Sequence, residues 1–187
     1  PEQPLRAIRF GHYQLPLSAV KNGLSEDKRL YPGKVSLDLP ALMALDQQPR
    51  LLLSAGGPDR VAATQVLQMV MLRFLTALPA GKLRMTIIDP VGLGDNFSAF
   101  MHLADIDEQL IGQRIWTDGR QIDERLSRLC EHLETVLQKY LRNEYATIDQ
   151  YNQQAGEVAE PYHLLVVANF PAGFSDAAAE KLLKIVT

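Results

Sequence analysis

Apolar residues change their spacing near Pro49, and the change separates two kinds of sequence. Before it, Ala7–Leu15 is a strand-like mixture that ends at Pro16. Lys34–Leu39 (KVSLDL) alternates apolar and polar residues with period two, the signature of a half-buried strand. Pro32, Gly33, Pro40 and Pro49 punctuate this region. Beyond Pro49, Leu51–Ser54 is a short apolar run that predicts a buried strand, and Ala55–Asp59 (AGGPD) is a turn cluster. Arg60–Ala77 carries Val61, Val66, Met69, Val70, Phe74 and Leu75 at helical spacing, and Leu83–Ile88 is a second buried strand ended by Asp89-Pro90. This strand–turn–helix–strand order predicts a βαβ unit with parallel pairing and a right-handed crossover.

A glycine-rich loop follows (Val91–Asn96), then a less regular stretch to Trp116. The longest helix is expected from Gly119 to about Tyr145. Ile122, Leu126, Leu129, Leu133, Val136, Tyr140 and Leu141 form its apolar stripe, and five acidic and five basic residues between Arg120 and Glu144 form a solvated face with pairs such as Glu124–Arg128. His163–Ala168 is the third apolar strand of this half, and Ser175 is placed to cap a last helix over Ala177–Thr187. The three runs Leu51–Ser54, Leu83–Ile88 and His163–Ala168 are too continuously apolar for a one-sided sheet. They are therefore expected side by side in one mostly parallel sheet covered by helices. The two ends read as cuts within a longer protein.

Composition narrows the function classes. In 187 residues, 47% hydrophobic and 22% charged residues describe an ordinary globular chain with room for a core. Nineteen Lys and Arg against 22 Asp and Glu leave a net charge of −3, so a nucleic acid would be gripped only through a local patch or several copies. No run is as apolar and as long as a membrane span. The single cysteine, Cys130, forms no internal disulfide and fits a reducing, cytoplasmic compartment.

Candidate chemistry begins at the first turn. A loop between a buried strand and a helix is where α/β proteins hold phosphate, because free N–H groups and the helix dipole converge there. A working phosphate loop reads G-x-x-x-x-G-K-[ST]. The segment here is Gly56-Gly57-Pro58-Asp59-Arg60-Val61-Ala62-Ala63-Thr64. Val61 replaces the second glycine, Ala62 the lysine and Ala63 the hydroxyl, and Asp59 puts a carboxylate where phosphate would sit. The simpler reading is a tight turn with Asp59 capping the helix, while Arg60 and Thr64 are the residues able to restore some affinity. The other constellations are weaker. His12, His102, His132 and His163 are scattered, Cys130 and His132 face different sides of a helix, and Asp105, Asp107 and Glu108 lack the glycine and the distal glutamate of a calcium loop, so no metal site is expected. Arg114, Arg120, Arg125 and Arg128 are read as solvated helix surface, with a phosphate patch or a finger to a neighbour's nucleotide as the sharper alternative.

The order of these features resembles a known family. Asp89-Pro90 after the strand MTII, the helix ending KYLRNEYATIDQYN and the strand LLVVANF are similar to the motor domain of FtsK/SpoIIIE DNA translocases, of the HerA-FtsK type, and to the ATPase modules of EccC-type secretion proteins. In that family the first strand leads into the phosphate loop, the next ends in Asp-Pro, and a long helix carries a basic-aromatic pair. An I–YN signature then precedes the Walker B strand. Ile148, Tyr151 and Asn152 match the signature, and Tyr140 with Arg142 stands near the expected pair. The resemblance spans Leu51–Thr187 and implies a three-layer, RecA-like P-loop α/β fold, with residues 1–50 as a β-rich lead-in or linker and 51–187 as the ATPase-type domain.

The departures decide the function that the resemblance implies. The family's Walker B strand ends Asp-Glu-Phe, one carboxylate for magnesium and one for activating water. Here it ends Val167-Ala168-Asn169-Phe170, and Asn169 orients a water without accepting its proton. With the phosphate loop also altered, the expectation is a pseudo-ATPase module that holds neither ATP nor Mg, which active relatives use. It would act in the assembly or regulation of a larger motor. Its partners would be other modules or subunits, it would meet DNA through the assembly, and alone it would be mainly monomeric. The alternative is an active ATP-binding translocase domain with an unconventional phosphate loop.

Overall fold

The computed structural model describes residues 7–45, 49–112, 114–141, 145, 148–156 and 159–186. The chain divides into two compact units, Leu5–Leu52 and Leu53–Thr187. It is of the mixed α/β class, and among the described residues each sheet has two strands.

In the first unit, β1 (Ala7–Pro16) pairs antiparallel with β2 (Ser36–Ala44), with an irregularity in register between Arg9 and Gly11. The long connection contains two 3-10 turns, the second started by Asp27, whose carboxylate accepts from the Arg29 N–H and pairs with its guanidinium at 2.6 Å. Of the alternating run Lys34–Leu39, Ser36–Leu39 becomes strand while Lys34 and Val35 stay outside it, and the strand extends through Pro40, which faces His12. A two-stranded ribbon leaves each strand one unpaired edge, where a missing N–H costs no ladder bond. The expected half-burial is not realised within β2. Leu37, Leu39 and Leu42 are exposed, because among the described residues of this unit no helix longer than a single 3-10 turn covers them, and Ile8 is the buried hydrophobic residue among those described.

The second unit begins with α1 (Asp59–Ala77), which buries Val70, Met71 and Phe74 and leaves Val61 exposed. The strand β3 (Leu83–Ile88) follows, with burial on both faces, and it pairs in parallel with β4 (Tyr162–Val167) from Leu83↔Tyr162 to Ile88↔Val167. Between them lie the short helices α2 (Ser98–Met101) and α3 (Glu108–Ile111), the long α4 (Gly119–Thr135) and α5 (Ile148–Ala155). The last helix, α6 (Asp176–Val186), is capped as expected: Ser175 Oγ accepts from the Ala178 N–H at 3.0 Å. Asp118 caps α4 by accepting from the Arg120 and Gln121 N–H groups.

Three expectations are corrected. Leu51–Ser54 belongs to no strand, and Leu52 is 91% exposed. An apolar run specifies a wish for burial but not a ladder partner. One edge of β3 is taken by β4, and the end of the other is bridged by Trp116, whose N–H donates to Ile87 and whose carbonyl accepts from Asp89. The long helix changes to π geometry at Val136–Leu141 instead of running on as α-helix to Tyr145. The charges of α4 do not pair along the helix as Glu124–Arg128 predicted. They reach across to α6, in Asp123–Lys181 (2.7 Å) and Glu134–Lys184 (2.6 Å).

The main core forms where one face of the strand pair meets α4 and α6. Ile88, Ile122, Leu126, Leu129 and Ala178 are buried together, with Trp116, Leu165, Val167, Phe174 and Ile185 packed around them. Three of these are the predicted stripe of α4. Among the described residues, no helix is long and apolar enough to cross a membrane. Leu126→Ala should lower the unfolding free energy of this unit by about 2–5 kcal/mol, since Leu126 is fully buried. Leu52→Ala should change it by less than about 0.5 kcal/mol. Urea unfolding followed by circular dichroism separates the two.

Candidate functional site

The residues singled out by sequence fall into three places. Gly56–Thr64 forms an exposed turn and the first turns of α1. Gly57 has φ +54°, the Asp59 and Arg60 N–H groups donate to Gly56 and Gly57, and the Thr64 hydroxyl donates back to the Arg60 carbonyl. Asp59 does not cap the helix: Pro58 holds the N-cap position, and Asp59 is the first helical residue with no capping hydrogen bond from its side chain. The glycine turn closes one residue early, so the helix begins before the carboxylate can reach back. Ala62 presents only a methyl group at the exposed helix surface.

The second place is the C-terminal end of β3 and β4, where Asp89, Pro90, Ala168 and Asn169 come together. Asp89 is fully buried and its carboxylate organises the glycine-rich loop, accepting from the Gly92 N–H (3.0 Å) and from Asn96 Nδ2 (3.0 Å). A Cβ at Gly92 would collide with this carboxylate and with Asn96, so the glycine is required by close approach. Gln68 of α1 donates to the Asn96 carbonyl and ties the helix to the same loop. The Ala168 N–H donates to Ile88, and Asn169 turns the chain away with φ +58°, a conformation that asparagine tolerates. Gly173 then lies against Pro90 and Gly119 against the Gly173 carbonyl, which brings the start of α4 to the same corner. An open concavity of about 560 Å³ beside it includes Gly94, Ser98, Met101, Ile115 and Thr117, with Asp95 its one charged residue. That lining offers no cation to a phosphate.

The third place holds the I–YN residues. Asn152 clips the segment before β4 in both directions, donating to the Glu160 carbonyl (2.8 Å) and accepting from its N–H (2.7 Å). The Glu160 carboxylate in turn meets His132 Nε2 at 2.8 Å. The Tyr151 ring stands edge-on to Tyr145 at 5.6 Å. Of the expected basic-aromatic pair, Arg142 and the side chain of Tyr140 lie outside the described residues. Asp107, from the acidic loop set, caps α3.

No family model, curated protein or solved structure matches this chain.

One cluster was not singled out by sequence. Arg84, Thr86 and Ile88 alternate onto one face of β3, and Thr86 is fully buried there. Arg125 of α4, expected in solvent, is instead half-buried. It donates to Thr86 Oγ1 from Nε (3.2 Å) and Nη2 (2.7 Å), with its guanidinium 5.7 Å from the centre of the Trp116 ring. A guanidinium cannot accept, so the threonine hydroxyl directs its own proton to His163 Nε2, 2.8 Å away. The imidazole is thereby neutral, with its proton on Nδ1. Burial, then the charges of Arg125, His132 and Arg84, push the His163 pKa down to about 4. The available signal was two polar residues, Arg84 and Thr86, at alternate positions of an otherwise apolar strand.

This depression has a definite sign. Between pH 6.5 and about 4 the unfolded chain holds a proton on His163 and the folded chain does not. Stability should therefore fall as pH drops through that window, by at most roughly 3 kcal/mol. The wild type minus His163→Asn difference in urea midpoint, measured from pH 7.5 to 4.5, isolates this contribution. It should be flat above pH 6.5 and shrink below it.

Proposed function

We propose that this chain is a non-catalytic module of the FtsK/SpoIIIE type, acting in the assembly or regulation of a larger DNA-translocating or secretion motor on the cytoplasmic side of the membrane. The observation that carries the reading is the join of two strands. The strand ending Asp89-Pro90 and the strand ending Ala168-Asn169 lie parallel and adjacent, with the long helix and the Tyr151-Asn152 segment between them in sequence. That is the element order of the family, and it supports a P-loop sheet of which β3 and β4 are two strands. Gly56–Thr64 is then the remnant of the phosphate loop, and Ala168-Asn169 the remnant of the Walker B strand.

The chemistry at these positions supports a role without turnover. Nucleotide binding uses a lysine on the terminal phosphates, where Ala62 offers a methyl group, and hydrolysis uses a carboxylate beside the attacking water, where the strand ends Ala168-Asn169. Asp89, the one buried carboxylate at that edge, is already engaged by Gly92 and Asn96. Charge-assisted phosphate contacts contribute about 1.5–3 kcal/mol each, so the loss of two or three moves a micromolar site towards millimolar. Such a module serves its neighbours as a docking and spacing unit, and it meets DNA only through them.

Titration calorimetry with Mg·ATP and a phosphate-release assay test the inactivity. No turnover is expected, and binding no tighter than about 1 mM. Binding tighter than about 10 µM that disappears in Arg60→Ala would instead establish a working, unconventional phosphate loop. The architecture is tested separately. An experimental structure of the chain with its neighbouring modules should keep β3 and β4 as adjacent parallel strands, and finding them in separate sheets would count against the family.

A further inference from the structure

We propose that the concavity beside the first half of β3 binds a small ligand carrying a phosphate or pyrophosphate group, held by Arg84 and Arg125, with the charge of Arg128 nearby. The concavity has a volume of about 340 Å³ and is lined by Arg84 and Met85 of β3, Glu108 and Gln109 of α3, Gly112 and Arg125. Two arginines thus form part of its wall. Arg128, one turn along α4 from Arg125 and outside that lining, adds a third positive charge nearby, which with that of Arg84 joins burial in lowering the Arg125 pKa. Among the described residues, none of the three is in an ion pair: the basic partners in ion pairs are Arg29, His102, His132, Lys181 and Lys184. Like charges gathered beside a half-buried wall repel, and an anion placed among them removes the repulsion and supplies the missing partner.

The hydrogen-bond arithmetic favours an oxyanion with several oxygens. Arg125 commits Nε and one Nη2 proton to Thr86, which leaves three N–H donors, and the Thr86 bond holds the planar fork in one orientation before any ligand arrives. Guanidinium forks match phosphate oxygens in pairs, and a pyrophosphate has enough oxygens to be shared by both of them. A concavity lined by six residues suits a small ligand better than a polymer that must be tracked along a groove, and the net charge of −3 discourages nonspecific polyanion binding. Glu108 is the one carboxylate in the lining, and it selects against ligands with too few contacts to outweigh it. Arg84 is the second residue of β3, whereas Asp89-Pro90 follows its other end, so this site is separate from the phosphate-loop remnant and independent of the ATPase-type reading.

The test is titration calorimetry of the full chain with sodium pyrophosphate at low ionic strength, with the melting temperature of every variant checked first. The expected result is one site with a Kd below about 1 mM. Binding should weaken at least tenfold, to a rough approximation, in Arg84→Gln and several-fold in Arg128→Gln, which is exposed and leaves the Thr86 bonds intact. Glu108→Gln should tighten it, and Arg60→Ala should leave it unchanged. No binding at millimolar pyrophosphate overturns the proposal, and so does binding indifferent to both Arg84→Gln and Arg128→Gln. Loss of binding in Arg60→Ala would move the phosphate site to the first turn. Binding of a short single-stranded oligonucleotide without binding of pyrophosphate would replace the small ligand by a nucleic acid.

Discussion

Two parallel strands cannot persist in water with bare faces, and the covering of one face of the β3–β4 pair by α4 and α6 is the constraint on which the second unit rests. That face is not uniform. Its C-terminal half is apolar, through Ile88, Leu165 and Val167, and it receives Ile122, Leu126 and Leu129. Its N-terminal half is polar, through Arg84, Thr86 and His163, and it receives Arg125 from the same helix. A single helix therefore satisfies a hydrophobic requirement and a hydrogen-bonding requirement in successive turns. Rotating α4 to improve one would spoil the other, which narrows its packing to one arrangement.

Thr86 is the pivot of the polar half. Its hydroxyl accepts from Arg125 and donates to His163, so it joins both strands and the helix through one oxygen. The same bonds explain the protonation of the neighbourhood. A cation already donates to the hydroxyl, so the imidazole must accept, and a neutral histidine is the cheapest group to keep beside the two arginines Arg125 and Arg84. Positive charge left over from this arrangement gathers at Arg84, Arg125 and Arg128, at the half of β3 remote from Asp89-Pro90. Two carboxylates of α4, Asp123 and Glu134, are paired with α6, and Glu160 before β4 is paired with His132 of α4. Fold and charge pattern have one origin in the alternation of β3.

At the other end of the strands, chemistry that looks catalytic in a sequence is absorbed by the backbone. Asp89 closes the glycine-rich loop and Asn169 turns the chain out of β4, while at the near end Asn152 clips the segment that leads into β4. The side chains of Asp89 and Asn152 satisfy backbone groups that the chain would otherwise leave unpaired. The first turn of α1 remains exposed, with neither a lysine nor a hydroxyl in the places where phosphate chemistry needs them.

Local pattern determined much of this protein. The spacing of Ile122, Leu126 and Leu129 marked the buried stripe of α4, Leu83–Ile88 marked a strand buried on both faces, and Ser175 marked the start of α6, because period and capping depend on residues a few positions apart. The missing lysine and carboxylates were equally legible, since identity alone removes a charge. What only the tertiary structure decided were the partners. Leu51–Ser54 has the composition of a strand but no ladder, Arg125 has the periodicity of a surface residue but lies against Thr86, and Glu134 and Asp123 pair with α6 instead of along their own helix. Each outcome depends on groups distant in sequence that meet only after β3 and β4 align, and hydrogen bonds, burial and Coulomb attraction depend on that distance in space and not on position along the chain.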